Sequence, residues 1–146
     1  MIIRRATLSD LDQLVELFEA YRIWYRQEAD SARATEFLNE RLTKEDAIIY
    51  IAVHEGSAVG FTQLYPSFSS TRMARLWVLN DLYVSEKYRG QQISKKLIAA
   101  AKDTCRETNG CGILLETEKN NSIGNNLYPK TGFHLEENNF YFWTNK

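Results

Sequence analysis

Residues Asn80 to Ser94, Asn-Asp-Leu-Tyr-Val-Ser-Glu-Lys-Tyr-Arg-Gly-Gln-Gln-Ile-Ser, constrain this chain more than any other segment. An apolar β-rich run enters an arginine-glycine turn, and the turn opens a helical pattern. The first amides of a helix lack an intrahelical partner and carry the positive end of the helix dipole, so a turn of this kind holds an anion such as a phosphate. Arg89 adds a fixed charge beside it.

The rest of the chain is organised around that strand and helix. Ile2 to Arg5 reads as a short strand. Ser9 caps a helix bearing Leu11, Leu14, Val15 and Phe18 on one face, and Asp30 or Ser31 starts a second bearing Ala34, Phe37, Leu38 and Leu42. Tyr21 to Glu28, rich in aromatic residues, reads as their connection. Ala47 to His54 and Ala58 to Tyr65 form a hairpin about Glu55-Gly56-Ser57, with Pro66 ending or bending the second strand. Leu76 to Val84 is the next strand. A helix from Gln91 to about Glu107 turns Ile93, Leu97, Ala101 and Cys105 inward and closes at Asn109-Gly110. Ile113 to Thr117 is a strand, and Ser122 to about Lys130 a helix made short or irregular near its end by Pro129. Phe133 to Glu136 and Phe140 to Trp143 read as a final hairpin. This order predicts one mixed α/β (α+β) domain over residues 1–146, antiparallel in its first half and with βαβ-type crossings in its second.

Composition narrows the functional classes. Eighteen Lys and Arg against nineteen Asp and Glu give a formal charge of -1, so no general basic field collects nucleic acid or anionic membrane, and any anion site is local. No apolar run reaches the roughly 18 residues that span a bilayer. The Met-Ile-Ile-Arg-Arg start passes directly into mixed polar sequence, which reads as cytoplasmic. Cys105 and Cys111 lack metal-knuckle spacing or a nearby histidine pair, so they read as buried thiols and no metal is expected. His54 and His134, beside turns and strand ends, read as surface or packing residues.

Two motifs occur in order about thirty residues apart: Leu82-Tyr83-Val84 with Tyr88-Arg89-Gly90-Gln91-Gln92-Ile93-Ser94, then Asn121 with Leu127-Tyr128-Pro129-Lys130-Thr131-Gly132-Phe133. Together with the element order, they resemble the GNAT superfamily of acetyl-CoA-dependent N-acetyltransferases over nearly the whole chain. The resemblance implies a central, mostly antiparallel mixed sheet, splayed at the cofactor site and flanked by about four helices. It implies acetyl-CoA as co-substrate, its pyrophosphate cradled by Arg89, Gly90, Gln91, Gln92, Ile93, Ser94 and Lys95. The Leu82, Tyr83 and Val84 backbone would pair with the pantetheine arm as an added strand, and Asn121 would hydrogen-bond it. Gln92 stands where the family prefers glycine, and Ser94 where it prefers glycine or alanine. A helical Gln92 with its side chain turned outward would keep the amides accessible.

The same resemblance places Tyr128 near the CoA sulfur, where a phenol suits the protonation of a departing thiolate. A backbone N–H near Val84 would polarise the thioester carbonyl. An amine arrives as ammonium and must lose a proton; Asp81 is the first candidate base and Glu116 the second. Tyr21, Trp24, Tyr25 and Glu28 offer aromatic faces and a carboxylate to a cationic acceptor. The Asn80-to-Val84 run is similar to that of the diamine and polyamine branch, with a histone-acetylating or other protein-lysine branch also open. The acceptor is thus an amine-bearing small molecule or a protein lysine. The alternative function is a non-catalytic acyl-CoA sensor or interaction module of the same fold. The aromatic run Phe140-Tyr141-Phe142-Trp143 predicts a homodimer.

Overall fold

The computed structural model describes all residues 1–146 and divides into two compact units, Met1–Glu116 and Thr117–Lys146. The first contains β1 (Ile2–Arg5), a 3-10 turn (Leu8–Asp10), α1 (Leu11–Trp24), α2 (Ser31–Lys44), β2 (Ile48–His54), β3 (Ser57–Ser69), β4 (Ala74–Val84), a 3-10 turn (Glu86–Tyr88), α3 (Ile93–Glu107) and β5 (Gly112–Leu114). The five strands form one sheet in the order β1-β2-β3-β4-β5. β1 to β4 are successively antiparallel, and β5 joins β4 in parallel. This is the mostly antiparallel mixed sheet expected from the sequence.

Strand alternation sends side chains to two cores. Leu14 and Leu17 of α1, Ala34 and Leu38 of α2, and Ile49, Ile51 and Phe61 of the sheet form one buried cluster. Ile93 and Leu97 of α3 pack with Ala52, Val59 and Val84 in the other. Ile93, Leu97, Ala101 and Cys105 are all buried, as their four-residue spacing predicts. Each Leu or Ile so buried contributes about 1.5–3 kcal/mol of transfer free energy, which fixes the α3 start against the sheet. Asn109, in the left-handed region at φ 55°, ends that helix, and Gly110 N–H donates to the Cys105 carbonyl at 2.8 Å.

Several sequence expectations are corrected here. Only part of the aromatic run expected as a connection is one: α1 continues through Trp24, and Tyr25 to Glu28 lie in the link to α2. The strand containing Pro66 does not end there. β2 pairing stops at Ile48–Leu64, so beyond Leu64 β3 is an edge strand, and a proline without an N–H is tolerated opposite Trp77. α3 begins at Ile93 rather than Gln91, with Gln92 outside it in a left-handed conformation. β5 is three residues long and ends before Leu115.

The second unit contains α4 (Ser122–Lys130). Pro129 lies in its last turn, where its fixed φ is compatible with a helix about to stop. The final hairpin expected at Phe133 to Glu136 and Phe140 to Trp143 is absent, and residues 133–146 form no strand. Aromatic β-propensity is realised only when a neighbouring strand supplies the ladder, and a lone hairpin is marginal in water. Among the four α-helices none is long and apolar enough to cross a membrane.

Candidate active site

The site begins where β4 departs from regular pairing. Gln63 of β3 faces Asp81, whereas the next residue, Leu64, faces Leu79, so Asn80 is an extra residue bulged from β4. The bulge brings Asp81 into the interior, with only 3% of its surface exposed. Gln63 Nε2 donates to Asp81 Oδ2 at 2.6 Å, Asn80 Nδ2 to Oδ1 at 3.3 Å, and Thr62 Oγ1 to the Asp81 carbonyl at 2.8 Å. Tyr21 OH donates to the bulged Asn80 carbonyl at 3.1 Å and satisfies it. Burial pushes the Asp81 carboxyl above the usual carboxylate range, opposed by hydrogen bonds from Gln63, Tyr21 and Asn80. Gln63 is itself fully buried, and its Oε1 has no hydrogen-bond partner.

An aromatic ladder leads from this carboxylate toward the surface. Tyr21 meets Tyr83 at 6.4 Å and Tyr25 at 5.0 Å between ring centroids, and Tyr25 meets Trp24 at 4.9 Å, all edge-on. Trp24 is 44% exposed. Three of the four acceptor candidates, Tyr21, Trp24 and Tyr25, are therefore contiguous and reach Asp81 through Tyr21. Glu28 is exposed, and its part in these contacts is a carbonyl that accepts from Arg22 Nη1 at 2.9 Å. Glu116 is exposed beyond the end of β5 and makes no bond to this group.

Beyond the bulge, one side of β4 opens. The β4–β5 ladder ends at Val78–Leu114, while β4 runs on to Val84. Ser85 N–H donates to the Val59 carbonyl of β3 at 2.8 Å. Strand alternation therefore turns the N–H and C=O of Val84 and Leu82 to the opposite, open side. Gly60 lets β3 lie close here: a Cβ on it would meet the Tyr83 carbonyl at 2.9 Å. Arg89 Nε donates to the Val84 carbonyl at 3.0 Å, and its guanidinium lies 5.5 Å from the Tyr83 ring centre.

The turn that follows has two left-handed residues, Gly90 at φ 80° and Gln92 at φ 66°. The first helical bond of α3 runs from Lys96 N–H to the Gln92 carbonyl at 3.2 Å, so the amides of Ile93, Ser94 and Lys95 precede the ladder. Gln92 makes no side-chain cap to them. The glycine preference at position 92 thus has a backbone cause, a left-handed φ, which glutamine meets at a cost. Gln91, Gln92 and Lys95 are exposed and Ile93 is buried, so polar side chains rim a turn anchored from beneath.

In the second unit Asn121 caps α4. Its Oδ1 accepts from Gly124 N–H at 3.1 Å and its Nδ2 donates to Thr117 Oγ1 at 2.9 Å. Its side chain therefore serves the helix start. A Cβ on Gly124 would meet Asn121 Nδ2 at 2.7 Å, which fixes glycine there. Asn125 Nδ2 donates to the carbonyls of Glu118 and Asn121 at 3.0 and 2.8 Å and ties down the loop ahead of the helix. Tyr128 is half-buried, its ring edge-on to Phe133 at 5.9 Å.

Sequence reasoning missed Gln63, Gly60 and Gly124. A polar Thr62-Gln63 pair inside an otherwise apolar strand was the available signal for the first. The two glycines show their role only through what a Cβ would strike.

Comparison with known proteins agrees with this architecture. The sequence pattern of the Acetyltransferase (GNAT) family matches residues 11–133. A Bacillus subtilis (strain 168) protein, the uncharacterized N-acetyltransferase YhfO, is 40% identical over 133 residues, covering 91% of this chain and 89% of its own. The crystal structure of a probable acetyltransferase superposes with a TM-score of 0.95 at 35% identity, covering 100% of this chain and 99% of the other. At the level of fold alone, the chain also matches AAC(6')-Iy in complex with a bisubstrate analog, CoA-S-monomethyl-acetylneamine, with a TM-score of 0.84 at 20% identity and coverage of 99% and 98%. A family match across most of the chain, a full-length relative and a superposable acetyltransferase all lead to one assignment: this chain belongs to the GNAT family and is an acetyltransferase.

Proposed function

We propose that the chain transfers an acetyl group from acetyl-CoA to the amine of a small molecule or a protein lysine by direct attack, residues 1–146 acting as one N-acetyltransferase domain. The observation that carries this reading is the open side of β4 at Leu82–Val84, running directly into the uncapped start of α3. An extended pantetheine arm with amide groups fits the first as an added strand, and a pyrophosphate fits the second. The residues present therefore fit acetyl-CoA. Leu82, Tyr83 and Val84 would hold the arm, and Arg89 to Lys95 the phosphates. Asn121 contributes by fixing α4 through its cap.

Acetyl-CoA supplies an activated thioester; the chain supplies position and proton transfer. Asp81 takes the proton of the incoming ammonium, because a carboxyl raised above its ordinary range is a better base near neutral pH than an exposed one. The Val84 N–H, on the open side, polarises the carbonyl. Tyr128 gives its proton to the leaving thiolate. Tyr21, Trp24 and Tyr25 bind the cationic acceptor by their faces. A diamine or polyamine suits such an aromatic and acidic surface, and a lysine side chain carries the same ammonium head. YhfO, named an N-acetyltransferase, supports nitrogen as the acceptor atom.

Calorimetry with acetyl-CoA, joined to thiol release across an amine panel, tests the reading. Binding with turnover on at least one amine is expected. Binding without turnover on any amine would favour a sensor, and no binding would overturn both.

A further inference from the structure

Burying a glutamine costs free energy, and Gln63 is fully buried. Its Nε2 donates to Asp81 Oδ2 at 2.6 Å, while its Oε1 has no hydrogen-bond partner. One half of the amide is therefore satisfied and the other is not. An apolar side chain of similar volume would fill the same space without that penalty, so packing does not account for a glutamine here. The bond to Asp81 does.

Gln63 also stands where one side chain can hold another in place. Its backbone lies inside the sheet, opposite Ile49 of β2 and Asp81 of β4. Pairing on both sides, with full burial, leaves its side chain little freedom, which is the condition for orienting a partner to a fraction of an ångström. The Asp81 backbone is pinned as well, by Thr62 Oγ1 on its carbonyl at 2.8 Å. Asn80 reaches the other carboxylate oxygen only at 3.3 Å, so of these two amides Gln63 holds the group more tightly. Tyr21 of α1 and Tyr65 of β3 are the titratable groups that interact with Asp81. Burial first and the Asp81 charge second push the Tyr65 phenol above its ordinary range, so it stays neutral. The Arg41–Asp46 ion pair, closed at 2.7 Å, acts on Tyr65. Burial raises the Asp81 carboxyl, and the bonds from Gln63, Tyr21 and Asn80 oppose it, the Gln63 bond foremost.

We propose that Gln63 is a positioning residue of the acetyl transfer: its Nε2–H holds Oδ2 of Asp81, turning the carboxylate for the acceptor and keeping it in the form that takes a proton. This rests on Asp81 as the base. An N–H bond of the acceptor ammonium breaks, its proton passes to the Asp81 carboxylate, and the nitrogen lone pair so freed attacks the thioester carbonyl. The Gln63 amide keeps its own protons throughout. Its work is done through Asp81, and it touches neither acceptor nor thioester.

A pH–rate profile on the full chain with acetyl-CoA and an accepted amine tests this, for wild type, Gln63→Met and Gln63→Glu. Methionine matches glutamine in length and cannot donate, while glutamate keeps the shape and sets a second carboxyl beside Asp81. The acidic limb is expected to move to higher pH in Gln63→Met and further in Gln63→Glu. At neutral pH kcat should fall about tenfold in Gln63→Met, the size of one hydrogen bond to a charged group, with acetyl-CoA affinity by calorimetry unchanged. Asp81→Asn separates the two claims. A limb lost in Asp81→Asn yet unmoved in Gln63→Met overturns the role of Gln63 alone, whereas full turnover by Asp81→Asn removes the base and the positioning role with it. Side-chain NMR of the wild-type chain decides the matter without an amine or a folded variant: the Gln63 Nε2 signals should shift over the same pH range as the Asp81 carboxyl carbon, and amide signals that stay still while that carbon titrates would overturn it.

Discussion

Asp81 illustrates how function is set against stability at a single residue. Its folded-state pKa is raised by burial, so the protein favours its neutral form; the Asp81 contribution to stability is fully present below the ordinary value of 3.8 and is lost as pH rises through the raised one. Asp81→Asn should therefore melt higher than wild type at neutral pH. The same variant should lose about 10²-fold or more in kcat, the contribution expected of a positioned base, and should lose the acidic limb of the pH–rate profile. Thermal melts and a pH–rate profile check both halves; unchanged turnover would remove Asp81 as base. Tyr128→Phe should lower kcat by a similar factor with little change in acetyl-CoA affinity, measured by turnover beside calorimetry.

At the scale of the element, the turn into α3 rests on two left-handed residues, one of which is a glutamine. Gln92→Gly should stabilise the fold by about 1 kcal/mol, since an L side chain costs roughly that much in this region. Chemical denaturation measures it, and a destabilised variant would show that the Gln92 side chain holds the turn. Elements with a periodic apolar face were legible in the sequence: α3 could be read from Ile93, Leu97, Ala101 and Cys105. The β4 bulge was not, because Asn80 is polar and exposed like an ordinary surface position, and only pairing with β3 shows it to be extra. Pro66 misled because proline argues against a central strand, while the strand becomes an edge just before it. The C-terminal aromatics misled for a related reason: propensity names a strand but does not supply its neighbour. Asp81 was legible as a carboxylate beside the cofactor strand; Gln63, which orients it, was visible only across the sheet.

For the whole molecule, acid stability turns on the first strand. Arg4 donates to both oxygens of Asp10 at 2.8 and 2.9 Å, and Thr7 N–H donates to Oδ2 at 2.8 Å. The Arg4 hydrogen bond is the main cause holding the Asp10 carboxyl down at about 2. A depressed carboxyl adds stability that is complete above its ordinary 3.8 and is lost as pH falls from about 4 to about 2. Asp10→Asn should flatten the melting temperature over that window and lower it at neutral pH. The central claim concerns the whole chain: the open side of β4 and the start of α3 bind acetyl-CoA so that its acetyl group passes to nitrogen. The most direct measurement mixes the protein with acetyl-CoA and a panel of amines, reading free CoA thiol by absorbance and the acetylated product by mass. The account predicts thiol release only when an accepted amine is present, with one acetylated nitrogen formed per thiol. Thiol release without acetylated amine, or none with any amine, would contradict it.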